Sequence, residues 1–172
     1  MKINIIVTIL LFFISCGQGS EANKIKHSIN NIKKSSKKID IVDSPDKIAL
    51  DFINSYVENC NKFKKSIGII DWVNSNNLTT NNFKIEVKRI IVKAYKKDPD
   101  LGLDFDPIFY AQDYPEEGFL LETFDSKTNY LIVKGKKWLD FKLTIKVVLN
   151  KNKWLVDGCG IINIPIDKRC KR

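Results

Sequence analysis

Histidine is almost missing from this chain: among 172 residues there is one, His27, in a polar stretch near the N-terminus. No Ser-His-Asp, Cys-His or histidine–metal centre can therefore be assembled in the part of the sequence that has core-forming patterns. Glycine is also scarce, at eight residues, and none form a phosphate-cradling loop. The four cysteines are Cys16, Cys60, Cys159 and Cys170, and the spacing of the last three matches no zinc pattern. The one long apolar stretch, Ile5 to Ile14, is too short to span a bilayer as a helix, and no second long apolar run follows it. Basic residues outnumber acidic ones, with a net charge of +9. The excess is spread along the chain: residues 17–46 hold six lysines against four acids, and no recognisable nucleic-acid module accompanies it. Nucleic acid is therefore not an expected partner.

What is present begins at the N-terminus. Met1-Lys2 precedes an apolar stretch from Ile5 to Ile14, interrupted only by Thr8, which has the layout of a signal peptide. It closes on Phe13-Ile14-Ser15-Cys16, which resembles the lipobox of bacterial lipoproteins, with phenylalanine where leucine is more usual. The resemblance implies cleavage before Cys16 and acylation of that residue with palmitate-type chains. The chain is then exported and membrane-anchored, in the outer membrane if the host has one. Residues 16–44 read as a Lys-rich tether, too poor in apolar surface to offset chain entropy. As a flexible coil it reaches about 30 Å. An odd number of cysteines, Cys60, Cys159 and Cys170, remains in a compartment where disulfides persist. A Cys60–Cys159 bridge is a possible pairing, with Cys170 left over.

Residues 45–166 carry the patterns of one domain, followed by a basic tail, 167–172. Ser44-Pro45-Asp46 is a helix-start signal, and Ala49, Phe52, Ile53, Tyr56, Val57, Cys60 and Phe63 follow at helical spacing. A second helix is expected after Leu78-Thr79-Thr80, with Phe83, Val87, Ile90, Ile91 and Ala94 inward and Lys84, Lys88, Lys96 and Lys97 on the other face. Residues 66–77 between them read as irregular, anchored by Ile69, Ile70 and Trp72. Asp106-Pro107 predicts a short helical turn through Gln112. The period then drops to 2. Phe119–Phe124 and Tyr130–Lys134 flank a turn, Phe141–Leu149 alternates cleanly, and Trp154-Leu155-Val156 follows another turn. Gly158 and Gly160 suggest a bulge or a close backbone approach. The order predicts an α+β fold: two to three helices packed on a curved antiparallel four-stranded sheet.

Two segments carry a family resemblance. Asp106-Pro107-Ile108 with Ala111-Gln112-Asp113-Tyr114-Pro115, and Lys153 through Pro165, resemble the bacterial envelope proteins of the domain of unknown function 3828 family. The resemblance covers roughly residues 46–165. It implies a cone-shaped domain of the nuclear-transport-factor-two-like kind, in a cystatin-like arrangement. It implies no chemistry.

Two groups of residues are candidates for function. The acidic run Asp98, Asp100, Asp104, Asp106, Asp113, Glu116 and Glu117 could hold calcium or share acid–base work, yet its spacing matches no calcium loop. Its bland reading is a helix cap at Asp106, a turn at Asp113 and solvated charges elsewhere, with Gln112 in the same candidate loop. Trp154, Asp157, Gly158 and Cys159 form the other group, in which Asp157 is expected to accept hydrogen bonds from the 106–113 loop. No catalytic, cofactor or metal residue is expected. The functional expectation is a lipid-anchored envelope protein, a non-catalytic module that binds an envelope protein or a small ligand. The alternatives are an immunity-type protein neutralising an envelope-targeted toxin, and a carboxylate-based enzyme working in the cone cavity. An open cavity with convergent buried carboxylates favours the enzyme, and a cavity filled by Phe and Trp favours the surface as the working part.

Overall fold

The computed structural model describes residues 43–171; the expected signal, Cys16 and nearly all of the expected tether, with Arg172, lie outside the described residues. Helix α1 spans Pro45–Cys60, with proline in its first turn. Ser44 occupies the cap position without lending its side chain to a cap bond; its carbonyl accepts from Ile48 N–H at 3.1 Å. The stripe Ile48, Ala49, Phe52, Ile53, Tyr56 and Val57 is buried, as the spacing predicts. Phe63 is not: the helix ends at Cys60, and Phe63 falls in a short turn at φ 49° with 75% of its surface exposed. Helix α2 (Ile69–Ser75) occupies the stretch expected to be irregular, and buries Trp72 and Val73. Helix α3 (Asn81–Lys97) starts after Thr80, where the helix is expected, and the Thr80 side chain caps it by accepting from Phe83 N–H at 3.0 Å.

Four strands follow: β1 (Phe119–Asp125), β2 (Tyr130–Gly135), β3 (Lys142–Asn150) and β4 (Lys153–Cys159). They form an antiparallel meander in sequence order, and the sheet is not closed into a barrel. Lys151 and Asn152 both take positive φ, 48° and 62°, which gives the β3–β4 hairpin a type I′ turn. A bulge between Lys146 and Val147 leaves Asp157 without a partner in register on β3 and reverses the alternation of β4. Val156, Gly158 and Cys159 are therefore all buried, and Asp157 and Cys159 do not share one face as strict alternation predicts. The outer edge of β4 is covered by residues 78–80: Val156 N–H donates to Leu78 O at 2.8 Å, and Thr80 N–H to Val156 O at 3.0 Å.

Helix α1 lies against all four strands, and α3 packs on α2 and β4. The α+β expectation holds. The interface between α1 and the sheet is the core, where Phe52, Phe83, Ile145, Leu131 and Val133 have no exposed surface. Each such side chain contributes roughly 1.5–3 kcal/mol relative to exposure. Two asparagines of α1 anchor it. Asn54 accepts from Phe119 N–H at 2.7 Å and donates to Phe119 O at 3.2 Å; Asn59 pairs in the same two-way manner with Ile67.

Candidate functional site

The Asp106 segment is a turn and not a helix. Asp106 N–H donates to Ala111 O at 2.9 Å, Tyr110 N–H returns to Asp106 O at 2.7 Å, and Tyr110 sits at φ 56°. The carboxylate is turned inward. Oδ1 accepts from Ile108 and Phe109 N–H at 2.8 and 3.0 Å, and Oδ2 from the Tyr56 hydroxyl at 2.5 Å. Burial raises the Asp106 pKa, opposed by the Tyr56 and backbone donors. Burial, then the nearby Asp106 charge, raises the Tyr56 phenol far above its usual value. Cys60 beside them is pushed up to about 11, by burial first and then by Asp106. A thiol raised in this way is a poor nucleophile. The arrangement is suited to holding a turn.

That turn is pinned to the end of β4. Ile161 N–H donates to Pro107 O at 3.0 Å, and Cys159 Sγ lies 3.5 Å from Ile108 O. Gly160 sits at φ 62°, where an added Cβ would meet Pro107 O at 2.3 Å, so only glycine fits. The two segments that carry the family resemblance are thus in contact, but through residues 159–161. Asp157 does not hold the loop: it accepts from Thr80 Oγ1 at 2.8 Å and from Lys146 Nζ at 3.2 Å, tying the α3 cap to the sheet. The bulge turns its carboxylate toward Thr80. Trp154 is half-buried against the core, and Gln112 reaches Asp104 O at 3.1 Å on the surface. Cys60 and Cys159 are not bridged. Their side chains are directed to Tyr56 and to Ile108 O respectively. Among the described residues no three His, Cys, Asp or Glu side chains converge as a metal site would require.

The interior is filled by aromatic rings. A continuous series runs Phe83–Phe52–Trp72–Tyr56–Phe109–Phe119–Phe141–Trp138, with neighbouring centroids 4.7–6.2 Å apart. It surfaces at Trp138, which is 47% exposed at the β2–β3 connection, beside exposed Leu139. Trp138 lines an open hollow of about 400 Å³ with Asp113, Tyr114, Glu116, Glu117 and Lys137. The Lys137–Glu117 ion pair closes at 2.9 Å, and the Lys137 hydrogen bond holds the Glu117 carboxyl below its usual pKa. Asp113, Glu116 and Glu117 are therefore together, as part of an exposed rim. Trp138 escaped the sequence reading; its signal was an aromatic among polar turn residues, Lys136-Lys137-Trp138-Leu139-Asp140. The C-terminal segment is not a free tail: Arg169 donates to Ile164 O at 2.9 Å and stacks over Tyr110 at 5.6 Å.

No family model, curated protein or solved structure matches the chain.

Proposed function

We propose that this chain is a lipid-anchored protein of the bacterial cell envelope whose folded domain binds another envelope component through its surface. The anchor is Cys16, at the end of the lipobox-like run, and the tether sets the reach of the domain from the lipid. The filled interior is the observation that carries binding over catalysis. The space a cone-cavity enzyme would use is occupied by Phe52, Trp72, Phe83, Phe109 and Phe119. The buried carboxylate near it, Asp106, has both oxygens engaged by Tyr56 and the backbone. The surface offers Trp138 and Leu139, supported from beneath by Phe141 at 5.0 Å and rimmed by carboxylates. An exposed, rigidly backed tryptophan with a polar rim is the composition of a binding hot spot.

The test is purification of the acylated protein from detergent-solubilised membranes, beside its Cys16→Ala and Trp138→Ala variants. Cys16→Ala is expected to leave the membrane fraction. Trp138→Ala is expected to lose the co-purifying component by about tenfold or more while still unfolding cooperatively. A Cys16→Ala protein that stays in the membrane as before removes the anchor, and recovery indifferent to Trp138→Ala moves binding off this hairpin.

A further inference from the structure

Helix α3 is two-faced. Only Phe83 and Val87 are fully buried along its length, with Ile90, Ile91 and Ala94 half-covered on the same side. At 3.6 residues per turn, Ile85, Lys88, Val92, Tyr95 and Lys96 fall within a sector of about 100° on the opposite side. Ile85 is 66%, Val92 39% and Tyr95 53% exposed, so three large apolar side chains stand in water on one line. Single exposed apolar residues need no explanation. A line of them interleaved with lysines does.

Charge gives the stripe a partner. The helix carries Lys84, Lys88, Arg89, Lys93, Lys96 and Lys97 against Glu86 alone. Glu86 is taken by Arg89 at 2.6 Å, and Lys84 donates to Asn74 O at 2.9 Å. Lys88, Lys93, Lys96 and Lys97 meet no carboxylate within ion-pair distance among the described residues. Asp98, Asp100 and Asp104 follow the helix end, and two backbone N–H groups of that turn occupy Asp98 Oδ1. Asp104 shares a hollow with Arg89, Lys93 and Lys97, so this side of the helix is partly neutralised. The Ile85–Lys96 side is cationic and apolar together.

We propose that this face of α3 docks on an anionic lipid surface, with Val92, Tyr95 and Ile85 entering the headgroup layer and the lysines pairing with lipid phosphates. Interleaved cations and apolar side chains on one helix face are what an interfacial helix needs. A lysine near an anionic leaflet strengthens binding by roughly fivefold, and the effect fades within a Debye length. The inference rests on the membrane anchorage proposed above, which keeps this helix within reach of the bilayer. It depends neither on acylation in the test below nor on the Trp138 hairpin.

The test uses the chain from residue 16 onward carrying Cys16→Ala, which keeps all of the described residues, 43–171, and with them the described strands and core. Co-sedimentation is measured with vesicles of pure phosphatidylcholine and with vesicles holding about 30 mol% phosphatidylglycerol. Binding is expected to the anionic vesicles only, and to weaken at least tenfold as salt rises from about 0.1 to 0.5 M. Replacing Lys88 and Lys96, the two lysines of this face, by Gln is expected to lower it by tenfold or more. Val92→Ser with Tyr95→Ser is expected to lower it about threefold or more at constant charge. Circular dichroism of each variant reports the fold. Free inorganic phosphate at millimolar level is expected to compete weakly. Equal binding to neutral vesicles, loss of binding only when the tether lysines are replaced, or tighter binding to duplex DNA than to anionic vesicles would each overturn the proposal.

Discussion

Asp106 carries its charge where the surroundings oppose it. Burial raises its pKa against the Tyr56 hydroxyl and two backbone donors. An unfolded aspartate titrates near about 3.9. The folded chain therefore holds this proton more tightly than the unfolded one, and the native state binds more protons between the two values. Its contribution to stability is fully present below about pH 4 and is lost as pH rises through the raised folded pKa. We expect the stability advantage of the native chain over Asp106→Asn, from urea unfolding, to shrink as pH rises above about 4. An advantage that grows with pH would show that the hydrogen bonds outweigh burial. The Asp-Pro pair announced a backbone cap at this position, and two N–H groups do bind Oδ1. Tyr56, fifty residues earlier, was visible only as a member of a helical stripe, because nothing local ties it to Asp106.

Among the elements, period was the reliable signal. Helices α1 and α3 and all four strands lie where the apolar spacing puts them, since a half-buried helix or strand must repeat its apolar residues at 3.6 or 2. Helix α2 was missed because it has only seven residues, too few to show a period. The two helix starts look alike in sequence and differ in the structure. Thr80 caps α3 and also donates to Asp157, whereas Ser44 makes no side-chain cap bond. Thr80→Ala is therefore expected to cost about 1–2 kcal/mol and Ser44→Ala less than about 0.5 kcal/mol. Denaturant midpoints of the two variants check this; equal losses would deny Thr80 its second role. The Asp157 misassignment has the same origin: one bulge residue reverses the strand alternation, and a bulge depends on the neighbouring strand.

For the whole molecule, the cysteines make the clearest forecast. Cys159 is fully buried against Ile108, and the Cys60 thiol is raised to about 11 beside Tyr56. Both are poor targets for a thiol reagent in the folded chain, since reaction needs exposure and thiolate. In the Cys16→Ala chain we expect Cys170 to label first and Cys159 last, only on opening of the core. After denaturation without reductant, mass spectrometry should find all three cysteines labelled. Protection of Cys60 and Cys159 together would restore the bridge between the first helix and the last strand.

Local order is written along the chain, and so are the residues on which the proposed anchorage rests. The signal-like run, Cys16, the polar tether and the α-then-β sequence of elements all follow from residue type and spacing within short windows. Which side chains meet is another matter. The Tyr56–Asp106 contact, the capture of Asp157 by Thr80 and the ring series ending at Trp138 join residues from different elements. Each depends on helix ends, a bulge and packing, which arise only when the elements dock. The fold class was therefore legible from periodicity, while the surfaces on which the proposed binding rests emerged only once the core had been assembled.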